Sequence, residues 1–137
     1  MFRRAGQAAL MLGAMLLAAP VAAQAPYEDP LVGMWLSPPA PNGMRGRVMI
    51  QPCGPAYCGT VAALLDPQGR VVPSDAVGTR IAWGMQPTAP AYYSGMVWVP
   101  GIDQTVSAEM LLQGDVLQVQ GCVNPMLCDL QVWRRLR

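Results

Sequence analysis

Thr105-Val106-Ser107-Ala108-Glu109-Met110-Leu111-Leu112-Gln113-Gly114-Asp115-Val116-Leu117-Gln118-Val119-Gln120 decides the fold of this 137-residue chain. Val106, Ala108, Met110 and Leu112 alternate with Thr105, Ser107, Glu109 and Leu111, the period of a strand with one apolar face. Gly114-Asp115 then supplies a two-residue hairpin turn, because glycine adopts the positive φ that primed turns require. Pairing Gln113 with Val116 sets Leu112 opposite Leu117 and Met110 opposite Val119. Both arms then share one buried face, as a correct register demands.

Working outward, further strands are expected at Gly33–Ser37, Arg45–Gln51, Tyr57–Leu65, Thr79–Trp83, Tyr93–Val99 and Cys128–Leu136. Fourteen glycines and fourteen prolines divide the chain into short pieces, and helical periodicity is nearly absent after the N-terminal stretch. About eight strands with short connections favour an all-β, antiparallel, up-and-down barrel whose interior is filled or holds one small ligand. Asp66–Gly78 is expected as the longest irregular connection, Pro38–Gly43 as a turn and Gln86–Ala91 as a flexible loop. A barrel spanning an outer membrane needs strands of about ten residues with an apolar lipid-facing side. Several of the expected strands are shorter.

The N-terminus reads as a secretory signal peptide: Arg3-Arg4, an apolar run from Ala8 to Leu17, then Val21-Ala22-Ala23 as a small-residue cleavage site. Residues 1–23 are therefore expected to be removed, leaving 24–137 as one domain in the periplasm or outside the cell, with no transmembrane segment. Two close cysteine pairs, Cys53 with Cys58 and Cys122 with Cys128, fit that oxidising compartment. Four cysteines admit three connectivities. The local pairs are favoured because each would clip a turn between adjacent strands. Neither pair has the two-residue spacing of a redox couple, and the same spacing disfavours a thiolate zinc site.

Composition removes whole classes of chemistry. The chain has no histidine, and all nine of its basic residues are arginine. Without an imidazole or an amine, Ser-His-Asp, Cys-His, Ser-Lys and Schiff-base systems are excluded, as are histidine-based metal sites. Loss of Arg3 and Arg4 with the leader leaves seven arginines against eight acids, without the basic stripe of a nucleic-acid binder. Asp66, Asp75, Asp103 and Glu109 are the acids from which a hydrolytic carboxylate pair would have to be drawn. Met34, Met44, Met49, Met85, Met96, Met110 and Met126 are scattered singly, which suits packing better than copper binding. Tyr92, Tyr93 and Trp98 flank the Gln86–Ala91 segment and are the candidates to line a ligand cavity.

The order Gly33-x-Trp35, Cys53-Gly54, Tyr57-Cys58-Gly59, Arg80, Ser94-Gly95, Pro100, Leu117-x-Val119-x-Gly121-Cys122 and Gln131-x-Trp133-x-Arg135 resembles a family of secreted bacterial proteins, domain of unknown function 2147. The resemblance spans nearly the whole mature chain and implies a lipocalin-like or calycin-like barrel with no assigned activity. Gly33-x-Trp35 is also similar to the lipocalin signature, in which the tryptophan closes the barrel bottom against an arginine of the last strand. That resemblance gives Gly33, Trp35 and either Arg134 or Arg135 the closing role. The chain departs from the family where an acid is replaced by Val99, and where a Lys and a Tyr are missing around Asp103-Gln104-Thr105.

The expected function is that of an exported, non-catalytic barrel without metal or cofactor. It would bind a small apolar or amphipathic ligand or a cell-envelope protein, and no nucleic acid. The alternatives are a filled-core structural protein of the periplasm and, less favoured, a carboxylate-dependent hydrolase.

Overall fold

The computed structural model describes residues 13–19 and 28–137. The cleavage site expected at Val21–Ala23 lies outside the described residues. Nine strands follow one another: β1 (Gly33–Leu36), β2 (Arg45–Cys53), β3 (Ala56–Leu65), β4 (Val71–Val72), β5 (Arg80–Ala89), β6 (Tyr92–Val99), β7 (Gln104–Gln113), β8 (Val116–Asn124) and β9 (Leu127–Leu136). All pairings are antiparallel. Sequential strands pair except that β3 pairs with both β4 and β5, and β1 joins β9, so eight strands close on themselves while the short β4 pairs with Leu64 and Leu65 of β3 beyond its contacts with β5. The result is an all-β, up-and-down, eight-stranded barrel.

The hairpin at its centre has the register read from its sequence: Gln113 faces Val116, Leu112 faces Leu117 and Met110 faces Val119. Val106, Ala108, Met110 and Leu112 are all buried, whereas Thr105, Ser107 and Glu109 are exposed. The turn has φ +60° at Gly114 and no positive φ at Asp115, the pattern of a type II′ turn. Apolar residues thus fill the inside and polar ones coat the outside of β7, the reverse of a barrel lying in lipid.

Two expectations about the chain path need correction. Gln86–Ala89 is not a loop but the second half of β5, paired to Tyr92–Ser94 of β6. Its Pro87 is accommodated where the ladder is irregular, the place in a sheet that tolerates a missing N–H. A second irregularity, between Trp83 and Gln86, contains Gly84 at φ +62°. It brings β5 so near β6 that a Cβ on Gly95 would lie 2.6 Å from the Trp83 carbonyl oxygen. Finally, the Asp66–Gly78 connection carries β4, held to Leu64 and Leu65 of β3.

The two ends of the barrel differ. Leu31, Trp35, Ile50, Met85, Met110 and Leu117 lie at one end and are essentially inaccessible. The turns β2–β3, β5–β6 and β7–β8 and the segment Glu28–Val32 gather there. The opposite end carries the β1–β2 loop, the β4 connection, and the β6–β7 and β8–β9 turns.

Candidate functional site

Inward-facing side chains shrink from the first end to the second. On β7 they run from Leu112 and Met110 to Ala108 and Val106, and on β8 from Leu117 to Val119 and Gly121. β6 passes from Tyr93 to Gly95 and Val97, and β3 from Tyr57 to Gly59 and Val61. Large residues therefore fill one end, and small ones leave a cavity of about 1260 Å³ at the other. Val48, Val61, Val106, Val119 and Trp133 form its inner lining, and Ile81 and Val97 stand on its wall. Such an apolar concavity suits a small hydrophobic or amphipathic molecule.

Few polar groups face this space. The Trp133 indole N–H donates to Gln131 Oε1 at 2.9 Å, and the Trp98 indole N–H donates to Asp103 Oδ1 at 3.0 Å. Arg45, Asp75 and Asp129 are exposed at the rim. The acids weighed for hydrolysis are dispersed. Asp66 accepts the Gln68 and Arg70 backbone N–H groups in its own turn, Asp103 holds Trp98, Asp75 is at the rim, and Glu109 lies on the outer face of β7. Among the described residues no group of three His, Cys, Asp or Glu stands close enough to hold a metal ion.

The closed end is built differently. The Arg135 guanidinium lies 4.4 Å from the centroid of the Trp35 ring, a cation–π contact. It also donates to the Val32 carbonyl at 3.2 Å and to the Pro30 carbonyl, tying the entering segment to the last strand. Gly33 adopts φ +147°, and a Cβ there would meet Arg135 Nη1 at 2.9 Å. The Trp35 indole donates to the Leu31 carbonyl at 3.0 Å. Asp29 Oδ1 accepts both the Leu31 N–H, at 2.9 Å, and the Tyr93 hydroxyl, at 2.5 Å. Outside, Asp115 pairs with Arg135 at 3.2 Å and Arg137 at 2.6 Å. The Arg137 hydrogen bond, aided by the charge of both arginines, holds the Asp115 carboxyl below its ordinary value.

Of the two arginines considered for closure, Arg135 carries the contact and Arg134 does not. Trp35 pairs with Arg135 across the sheet, so both turn inward, while Arg134 faces solvent. The trio Tyr92, Tyr93 and Trp98 is not brought together. Tyr92 points outward and is 46% exposed, and Tyr93 is buried at the closed end. Trp98 borders the open cavity, five residues or about 16 Å further along the strand. Tyr93 instead lines a separate recess of about 590 Å³ between Pro30 and the β5–β6 turn, where its hydroxyl is bonded to Asp29. The valines and glycines of the open end were missed as site residues, although their diminishing size was present in the alternation itself.

Two disulfides are formed, Cys53–Cys58 at the closed end and Cys122–Cys128 at the open end. Each joins the arms of one hairpin, and no cysteine among the described residues is free. They mark a protein of an oxidising compartment.

A family model described as "Uncharacterized protein conserved in bacteria (DUF2147)" matches residues 33–135. No protein among the curated sequences matches the chain. Among solved structures, the chain is similar to a protein of the human pathogen Helicobacter pylori described as belonging to the lipocalin family. The TM-score is 0.64 at 10% identity, over 78% of this chain and 83% of that one. At that identity the likeness concerns the fold.

Proposed function

From the premise that this chain belongs to the DUF2147 family of bacterial proteins and has a lipocalin-like fold, we propose that it is an exported carrier or sensor of a small apolar or amphipathic molecule. The observation that carries this reading is the taper of inward side chains, which fills one end of the barrel and leaves the cavity lined by Val48, Val61, Val106 and Val119 at the other. Gly59 and Gly121 let Val48, Ala82, Val97 and Val106 pack closely, since a Cβ at either would stand 3.2–3.4 Å from them, so the open space is bounded by the short valine side chains. The two disulfides and the Arg3–Ala23 pattern support delivery to the periplasm or beyond. Catalysis is not part of the proposal, because the cavity presents a hydrophobic lining and the acids are spread over separate elements.

Native mass spectrometry on mature protein purified from its own periplasm tests this. The proposal expects a mass four hydrogens below the reduced chain and a second, heavier species that loses a small molecule on collisional activation. A single apo species, with no uptake of apolar probes afterwards, would leave a barrel whose cavity has no cargo.

A further inference from the structure

At the open end β9 has the reverse polarity of β7. On β7 the inward row is Val106, Ala108 and Met110, and the outer row is Thr105, Ser107 and Glu109. On β9, Trp133 faces Leu117, Gln131 faces Val119 and Asp129 faces Gly121. Leu117 and Val119 are buried in the core, and a Cβ on Gly121 would lie 3.2 Å from the Val106 side chain, so this row of β9 is the inward one. Its outer row carries Leu130 and Val132, both exposed. Two polar residues are thus turned towards the cavity and two apolar ones away from it, against the alternation that burial alone selects.

Asp129 carries an uncompensated charge. Among the described residues its carboxylate makes no ion pair and accepts no hydrogen bond. Its neighbours in the row are engaged: Gln131 Oε1 accepts the Trp133 indole N–H, and Arg135 is held by Trp35 and two backbone carbonyls. The charged residues lining the cavity are Arg45, Asp75 and Asp129. Arg45 stands an odd number of residues from buried Val48 on β2, so it turns outward. Asp75 lies on the connection into β5, four strands from β9 in either direction around the barrel. Asp103, at the β6–β7 turn, holds the Trp98 indole beside the mouth. Acids therefore outnumber bases around the opening, and a cleft with apolar walls focuses such a field on what enters it.

We propose that the molecule held in the cavity is an amphiphile with a cationic head, an alkylammonium, whose tail lies among Val48, Val61, Val106 and Val119 and whose charge stands at Asp129. This rests on the small-molecule reading and narrows it, since the charge that attracts an ammonium repels a fatty acid. Asp129 lies four residues, about 13 Å along the strand, from Trp133, so the head stays at the mouth while the tail reaches the valines. At the mouth the ammonium keeps part of its hydration, and the cost of burying a bare ion does not arise.

The test uses the full mature, disulfide-bonded protein near neutral pH, where alkylamines are protonated and fatty acids ionised. Decylammonium, decanoate and decanol, each below the concentration at which it self-associates, compete with bound N-phenyl-1-naphthylamine. Decanol has the chain without the charge and reports whether the cavity accepts a tail at all. The expected result is half-displacement by decylammonium at a concentration about ten-fold lower than by decanoate. Asp129→Asn weakens decylammonium and tightens decanoate, narrowing the gap to about two-fold, and these opposite changes are ones that a misfolded barrel does not give. Asp129→Glu keeps the preference, and so does Asp115→Asn, which removes the same charge at the closed end. Displacement by decanol with no preference between the two ions, or a preference that Asp129→Asn leaves unchanged, overturns this inference and leaves the small-molecule reading standing. If neither the fluorophore nor decanol binds, both fall.

Discussion

The closed and open ends of this barrel are made from the same strands and differ in side-chain size and in what ties the loops down. At the closed end Trp35, Met85, Met110 and Leu117 are essentially inaccessible, and Arg135 stitches the entering chain to the last strand. At the open end the inward positions fall to valine, alanine and glycine, and the Pro-rich loop replaces a strand. The contrast teaches that tight packing and open interior space are spatially divided. The closed end supplies packing and defines the register, which leaves the open end free to keep an unfilled interior.

The largest break in this division should come from Trp35→Ala. It removes a wholly buried ring and uncovers Arg135, and is expected to cost about 3–5 kcal/mol in urea unfolding. Replacing Cys53 and Cys58 together by serine should cost roughly 2 kcal/mol, as a loop this short predicts, and leave probe binding intact. The same exchange at Cys122 and Cys128 should cost a similar roughly 2 kcal/mol but weaken binding too, because that bridge holds the hairpin at the cavity mouth. Parallel denaturation and binding curves distinguish the two. Tyr93→Phe removes the hydroxyl bond to Asp29 and should cost about 1 kcal/mol without affecting the cavity.

The smallest effect concerns pH. The Asp115 carboxyl is held below its ordinary value in the folded protein, so its contribution is present above the unfolded value and is lost as pH falls through the folded one. The group is exposed, so the slope should be slight. Asp115→Asn should flatten the acid limb of a melting-temperature profile by a correspondingly small amount.

Much of the fold is legible because period two survives in nearly every strand. The Thr105–Gln120 hairpin declares its register through matched apolar positions, and both disulfides follow from hairpins that bring their ends together. Pro87 misleads because proline argues against a strand, yet an irregular ladder accepts it. The choice between Arg134 and Arg135 was within reach: Leu117 opposite Trp133 turns Trp133 inward, and Arg135 shares its parity. The site was harder. Aromatic residues near a supposed loop drew attention to Tyr92, Tyr93 and Trp98, while the cavity is made by what the interior lacks. The short side chains of Val48, Val61, Val97, Val106 and Val119 acquire meaning as a lining only after the strands are aligned at one end.

The most direct test of this division is a titration with the apolar fluorophore N-phenyl-1-naphthylamine on the wild type, Tyr93→Phe and Val97→Trp. Val97 stands on the cavity wall, half-buried, so a tryptophan there should occupy the space that a ligand would take without disturbing the closed end. The account predicts saturable one-site binding in the wild type, the same binding in Tyr93→Phe, and its loss in a Val97→Trp protein that still folds. Undiminished binding in Val97→Trp would place the probe elsewhere and contradict the assignment of the open end as the site.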